Sequence, residues 1–305
     1  MDSLTKLMIS PHIHSGRSTS GIMRDVVISL LPATVAGTII FGLRALLVVA
    51  FCVVSCVVFE ALFNFITKKE QTVGDLSAVV TGLLLALNLP ANIPLWQCVI
   101  GSIFAIIVVK CLFGGIGCNL VNPAITARVF MLVAFGSMAT SAFPVDAVAG
   151  ATPLAAPKMP TITTLLIGNY GGAIGETCTV ALLLGGIYLL VRRVITWQVP
   201  VSFIGTVFVL SYLIQGFDVV NALSLILSGG LFIGAIFMAT DYVTSPSTPW
   251  GKVIFGIGAG LLTFLIRHYG NYPEGVSFAI LFMNILTPYI SKWTRYKVFG
   301  TGGGK

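Results

Sequence analysis

The sequence predicts an all-α integral membrane protein with about ten transmembrane helices in two inverted five-helix repeats. Composition is the first reason. Of 305 residues, 56% are hydrophobic and only 9% charged, against about 25% charged in soluble domains. Mean hydropathy is the second, at +1.00. The third is the recurrence of apolar stretches near the ~20 residues that cross a bilayer core. Together they exclude a soluble enzyme, a nucleic-acid binder and a disordered chain. The net charge of +7 then bears on orientation in the bilayer, not on nucleic acid.

Residues 1–21 form a polar N-terminal segment. It holds Pro11, His12 and His14 and has no apolar core of a cleavable signal. Five spans follow within 22–139, at about 22–41, 45–66, 76–89, 95–113 and 123–138. Residues 140–172, with Pro144, Pro153, Pro157 and Pro160, read as a long loop outside the membrane. Five more spans lie within 173–298, at about 174–194, 200–214, 219–238, 253–267 and 276–293, before a flexible Gly-rich tail at 299–305. The third, fifth, seventh and ninth spans are short, which predicts helices broken partway through the membrane.

The halves resemble each other in order. A Pro-containing turn (Pro90 to Pro94) precedes a Gly-containing helix, a polar loop (Gly114 to Asn122) and another helix. In the second half Pro246 to Pro249, a Gly-rich helix, His268 to Gly275 and a last helix repeat that pattern. Five is odd, so the second repeat starts on the opposite side and the repeats are inverted. Lys and Arg set the orientation. Twelve of them fall on the side of the N-terminus, and Arg44, Lys158 and Arg267 on the other. The positive-inside rule puts both termini in the cytoplasm and the 140–172 loop outside.

Ionisable groups within or beside spans are costly, so they pair, snorkel or act. They are Arg24, Asp25, Glu60, Asp75, Lys110, Arg128, Glu176, Asp218 and Asp241. Arg128 lies six residues into the fifth span and is expected to face a buried anion, cofactor or carboxylate. The loop before it carries Gly114, Gly115, Gly117, Asn119 and Asn122. Glycine permits close backbone approach, and Asn offers donor and acceptor together, as the edge of a heterocycle requires. A tight interhelical turn explains the same residues equally well. Asn122 is placed as an N-cap with Pro123 at the first helical position. Thr244, Ser245, Ser247 and Thr248 either bind a polar ligand or cap helices. Six scattered Cys include no CxxC pair, so no metal ligand is assigned, and the chain carries no evident catalytic residue of its own. The loop around Asp146, Gly150, Ala151 and Thr152 is rich in small residues. A Thr hydroxyl with no base beside it is a poor nucleophile, so covalent chemistry at Thr152 needs an outside catalyst.

Four strings together carry a family resemblance: residues 75–90, 110–124, 238–246 and 272–284. Over about residues 9–297 the chain resembles the D subunits of Rnf ion-translocating ferredoxin:NAD oxidoreductases. Their relatives are the B subunits of sodium-pumping NADH:quinone oxidoreductases. The resemblance implies a urea-channel-like fold and FMN joined to a Thr by a phosphoester. The implied pattern falls on Asp146, Gly150, Ala151 and Thr152, with Ala149 where a hydroxyl residue is usual. A flavin transferase would attach the FMN, with Asp146, Gly150 and Ala151 in its recognition pattern. A second flavin, non-covalent riboflavin, is implied near Gly115, Asn119, Asn122 and Arg128. The implied function is electron transfer between ferredoxin and NAD coupled to Na+ or H+ translocation, in a prokaryotic inner (cytoplasmic) membrane. The implied partners are an FMN-bearing G subunit, iron–sulfur subunits and other membrane subunits. A channel or transporter for a small solute or ion is the alternative, since broken helices and inverted repeats suit it too.

Overall fold

The computed structural model describes residues 18–135, 161–168, 170–270 and 275–295. Its regular elements are helices, with no β-strand among the described residues. Three helices are long and apolar enough to cross a membrane: Thr19–Phe41, Leu43–Ile66 and Pro249–Tyr269. The bent pair Val219–Leu227 and Leu231–Met238 adds a fourth candidate.

Helix α1 (Thr19–Phe41) starts where the Ser18 hydroxyl accepts from Gly21 N–H at 3.1 Å. It ends at Gly42, whose φ of +74° reverses the chain directly into α2 (Leu43–Ile66). Asp75 caps α3 (Ser77–Leu87) by accepting from Ser77 N–H at 2.8 Å. Its eleven residues span about 16 Å, half of a ~30 Å hydrocarbon core. Helix α4 (Leu95–Ile103) continues as π-helix through Phe104–Cys111. The predicted cap of α5 (Pro123–Ala134) forms, with Asn122 Oδ1 accepting from Ala124 and Ile125 N–H.

The described end of the 140–172 connection is not wholly loop. Residues Ile162–Ile167 form α6, which packs on α7 and α9 and buries Leu165 fully. The expected sixth span is helical only over α7 (Thr179–Val191). Residues 173–178 before it are irregular backbone, buried except at the half-buried Cys178. Ile174 N–H donates to Leu89 O at 3.1 Å and Gly175 N–H to Leu87 O at 2.7 Å. The unwound end of α3 and this segment thus satisfy each other, which non-helical backbone at membrane depth requires.

Helix α8 (Gln198–Ile214) lies along α11 (Pro249–Tyr269). Gly256 and Gly260 of α11 face the backbone of α8, where an added Cβ would come within 3.0 Å of Val199 O and 2.9 Å of Phe203 O. Small residues four apart allow this close approach. Helices α9 (Val219–Leu227) and α10 (Leu231–Ile233, π-helical on through Gly234–Met238) bend by 67° at Ser228–Gly230. Helix α12 (Val276–Trp293) closes the described chain and packs on α5 and α11. Helix α1 packs on α7. Breaks expected in the seventh and ninth spans are therefore found in the eighth, because Gly229 and Gly230 let the chain turn there, while α8 and α11 run unbroken.

Candidate functional site

Two polar clusters interrupt the apolar interior. In the first, Arg128 of α5 is buried. Its Nη1 donates to Asn88 Oδ1 at 2.9 Å and to Ser277 Oγ at 3.1 Å, and Nη2 donates to Glu176 Oε1 at 3.0 Å. Glu176 sits in the irregular 173–178 segment, also buried. Tyr170 donates to the Glu176 carbonyl at 3.0 Å, and Asn88 Nδ2 donates back to Leu84 O at 2.6 Å. Gly230, at the α9–α10 bend, leaves room for the carboxylate, since an added Cβ would stand 2.6 Å from Glu176 Oε1. The expectation that Arg128 faces a buried anion, cofactor or carboxylate meets a carboxylate here.

The second cluster lies at the start of α3. Lys110, on the π-helical turn after α4, donates from Nζ to Glu60 Oε2 at 2.8 Å and to Ser77 Oγ. Thr72 donates to Glu60 Oε1 at 2.8 Å, and Asn64 Nδ2 donates to Thr72 Oγ1 at 3.0 Å. Ser77 in turn donates to Asp75. A buried ion pair is tolerated where remaining lone pairs and protons are matched by further hydrogen bonds, and the Lys110–Glu60 cluster meets that condition, with a partner on each carboxylate oxygen.

Lys110 also borders a cavity of about 100 Å³. Its polar lining is Ser77, Thr81, Lys110, Asn119, Asn122, Thr240, Asp241 and Tyr242, and its apolar walls include residues of α1, α3, α7 and the π-helical end of α10. Both polar side-chain atoms of Asn122 are engaged. Its Oδ1 caps α5, and its Nδ2 donates to Met238 O at 3.3 Å. Asn119 differs, because its Oδ1 is buried without a hydrogen-bond partner. Asp241 accepts from Val243 N–H at 3.3 Å and Thr244 Oγ1 at 3.1 Å. Burial nonetheless pushes its carboxyl up, the two hydrogen bonds opposing. The Tyr242 hydroxyl is pushed up by burial and by the carboxylates of Asp241 and Asp75.

An unpartnered acceptor and a cation among apolar walls suit one edge of a flavin ring, which presents an N–H and carbonyl oxygens. The space is smaller than the ~300 Å³ at which small-molecule sites begin. These residues therefore fit a ring edge, and a whole flavin requires the adjoining loop to give way. That loop is glycine-hinged, with Gly114, Gly115 and Gly117 at φ of +119°, +94° and +86°.

Of the sequence-predicted site residues, Asn119 and Asn122 come together at this cavity. Gly115 is in the loop beside it and does not line it. Arg128 belongs to the other cluster. Asp146, Gly150, Ala151 and Thr152 lie outside the described residues. Most other ionisable groups pair or cap. Asp25 accepts from Arg192 and Tyr188, and Asp218 caps α9. The sequence reading did not single out Asn88, Ser77 or Ser277. Asn88 carried a signal, as a lone amide at the end of an apolar run from Leu83 to Leu89.

A model of the NQR2, RnfD, RnfE family matches residues 6–300. The chain is 46% identical over 302 residues to the D subunit of the Na(+)-translocating ferredoxin:NAD(+) oxidoreductase complex of Acetobacterium woodii, covering 95% of this chain and 94% of that one. It is 42% identical over 314 residues to the D subunit of the proton-translocating ferredoxin:NAD(+) oxidoreductase complex of Clostridium ljungdahlii, covering 96% and 95%. With the D subunit of the ion-translocating oxidoreductase complex of Halorhodospira halophila it shares 34% identity over 342 residues, covering 97% and 96%.

Proposed function

The chain belongs to the NQR2, RnfD, RnfE family, and on that premise we propose that it is the flavin-carrying membrane subunit of an ion-translocating ferredoxin:NAD+ oxidoreductase. The observation that carries this reading is similarity along almost the whole chain, at 46% identity, to a protein named as a subunit of such a complex. Electrons pass between ferredoxin and NAD through flavin here and through the G subunit and iron–sulfur subunits beside it, coupled to Na+ or H+ movement. FMN is joined to Thr152 by a flavin transferase, and riboflavin binds at the Asn119 cavity. The protein sits in a prokaryotic inner membrane with both termini in the cytoplasm, which the twelve-to-three split of basic residues supports. Packing of α1 on α7 and of α5 on α12 supports two inverted five-helix repeats, because a twofold relation pairs first helix with first and fifth with fifth.

Bound flavin supplies one- and two-electron transfer, while the protein binds, orients and tunes it. Asn119 Oδ1, buried without a hydrogen-bond partner, would hold a flavin by accepting from an N–H at the ring edge. The Lys110 ammonium, partly neutralised by Glu60, favours negative charge at that edge. Apolar walls from α1, α3 and α7 exclude water, which strengthens both interactions.

In-gel flavin fluorescence of the denatured protein tests the proposal. The chain from cells that contain the transferase gives a fluorescent band, and Thr152→Ala gives a dark one. A dark wild-type band overturns it. The irregular backbone at 173–178 and the α9–α10 bend favour a second reading, a channel or transporter. Solute uptake into vesicles that hold this chain alone, with no redox donor, would support that reading.

A further inference from the structure

A crevice of about 480 Å³ lies between α7, α8 and the bent α9–α10 pair. That volume is within the ~300–1,000 Å³ range of ligand sites. Its walls are apolar side chains of all these elements, among them Ile187 and Leu190 of α7 and Val201 of α8. Ile187 and Val201 are 55% and 58% exposed, so the crevice opens sideways, toward the acyl chains of a surrounding bilayer.

Gly205 of α8 lines this crevice, and a Cβ added there would meet nothing within 4 Å. Glycine is the poorest helix former after proline. No neighbour among the described residues requires it at this position, so the space in front of it is room for an occupant.

One end of the crevice is basic. Its lining residues Leu190 and Ile195 bracket the turn that carries Arg192 and Arg193. Lys252 of α11 reaches the same turn, where Nζ donates to Thr196 Oγ1 at 3.0 Å. Arg192 bridges to Asp25 at 3.2 Å and still leaves half of its side chain exposed. Trp197 and Trp250, both exposed, flank this end, as aromatic residues do at a membrane–water interface. A neighbouring subunit's apolar helix would fill the crevice but has no use for these cations. A lipid phosphate does.

We propose that the crevice holds an anionic phospholipid, with an acyl chain against α7 and α8 and its phosphate at Arg192, Arg193 and Lys252. The test uses the assembled complex, exchanged in mild detergent into equal mole fractions of phosphatidylglycerol and phosphatidylcholine. Native mass spectrometry counts the phospholipid retained on this chain. Wild type retains phosphatidylglycerol over phosphatidylcholine by about tenfold. Arg193→Gln with Lys252→Gln brings the ratio to within about twofold of unity. Gly205→Leu fills the crevice from its wall and lowers retention of both lipids, with subunit composition unchanged. Equal retention of the two lipids by wild type overturns the proposal, as does an unchanged lipid count on Gly205→Leu. Loss of a membrane subunit from Gly205→Leu with lipid unchanged assigns the crevice to a protein partner instead. The readout needs neither flavin nor electron transfer, so its failure is distinct from failure of the functional reading.

Discussion

The two buried ion pairs are alike in distance and opposite in construction. Lys110–Glu60 draws its support from the first half of the chain alone, with Thr72, Asp75 and Ser77 supplying the hydrogen bonds at one end of α3. Arg128–Glu176 gathers Asn88, Ser277 and the 173–178 segment from both halves of the chain. The first pair, through Lys110, borders the cavity that Asn119 and Asn122 line, and the second does not line it. The difference separates two uses of buried charge. One holds distant elements in register, and the other presents a cation to whatever enters beside it.

Arg128→Gln breaks this comparison most sharply. It strands the Glu176 carboxylate in the interior and lowers stability by about 3–5 kcal/mol, read as a fall in the unfolding midpoint of the purified protein in detergent. Adding Glu176→Gln recovers most of that loss. A midpoint equal to wild type for Arg128→Gln would remove the clamp from the account.

Lys110→Met has a smaller effect, about 1–3 kcal/mol, because Thr72 still donates to Glu60. It also lowers riboflavin retained after gel filtration, which Arg128→Gln with Glu176→Gln does not. Equal flavin loss in both variants would erase the distinction drawn between the pairs. Asn119→Leu sharpens it. Its stability stays within about 0.5 kcal/mol of wild type. Its retained riboflavin falls about fivefold, the worth of one net hydrogen bond. A normal flavin content in Asn119→Leu would take the second flavin away from this cavity.

Much of this was legible in the residues. Hydrophobic runs located the helices to within a few positions, because burial in lipid leaves a compositional mark on every residue of a span. The Asn122–Pro123 cap was legible for a local reason, since cap and helix are adjacent in sequence. What escaped was set by distance along the chain. Glu176 lies 48 residues from Arg128, and nothing near either names the other. Helix α6 was hidden in a proline-rich connection because its six residues gain their stability from α7 and α9. The bend at Ser228–Gly230 carried a local signal, Ser-Gly-Gly within an otherwise apolar stretch, but the composition of the whole stretch registers depth and not direction. Asn119 and Asn122 looked equivalent as amides, and only the cap and Met238 O, which consume one and leave the other, tell them apart.

The pairing of Ile174 and Gly175 with the end of α3 sets a limit on motion. Pulling these segments apart would expose two N–H groups and two carbonyls to hydrocarbon, at several kcal/mol for each group. Water would have to follow them in, and a proton or ion leak would come with it. The seam therefore acts as a weld between the two segments, since any motion that parted them would carry that whole cost.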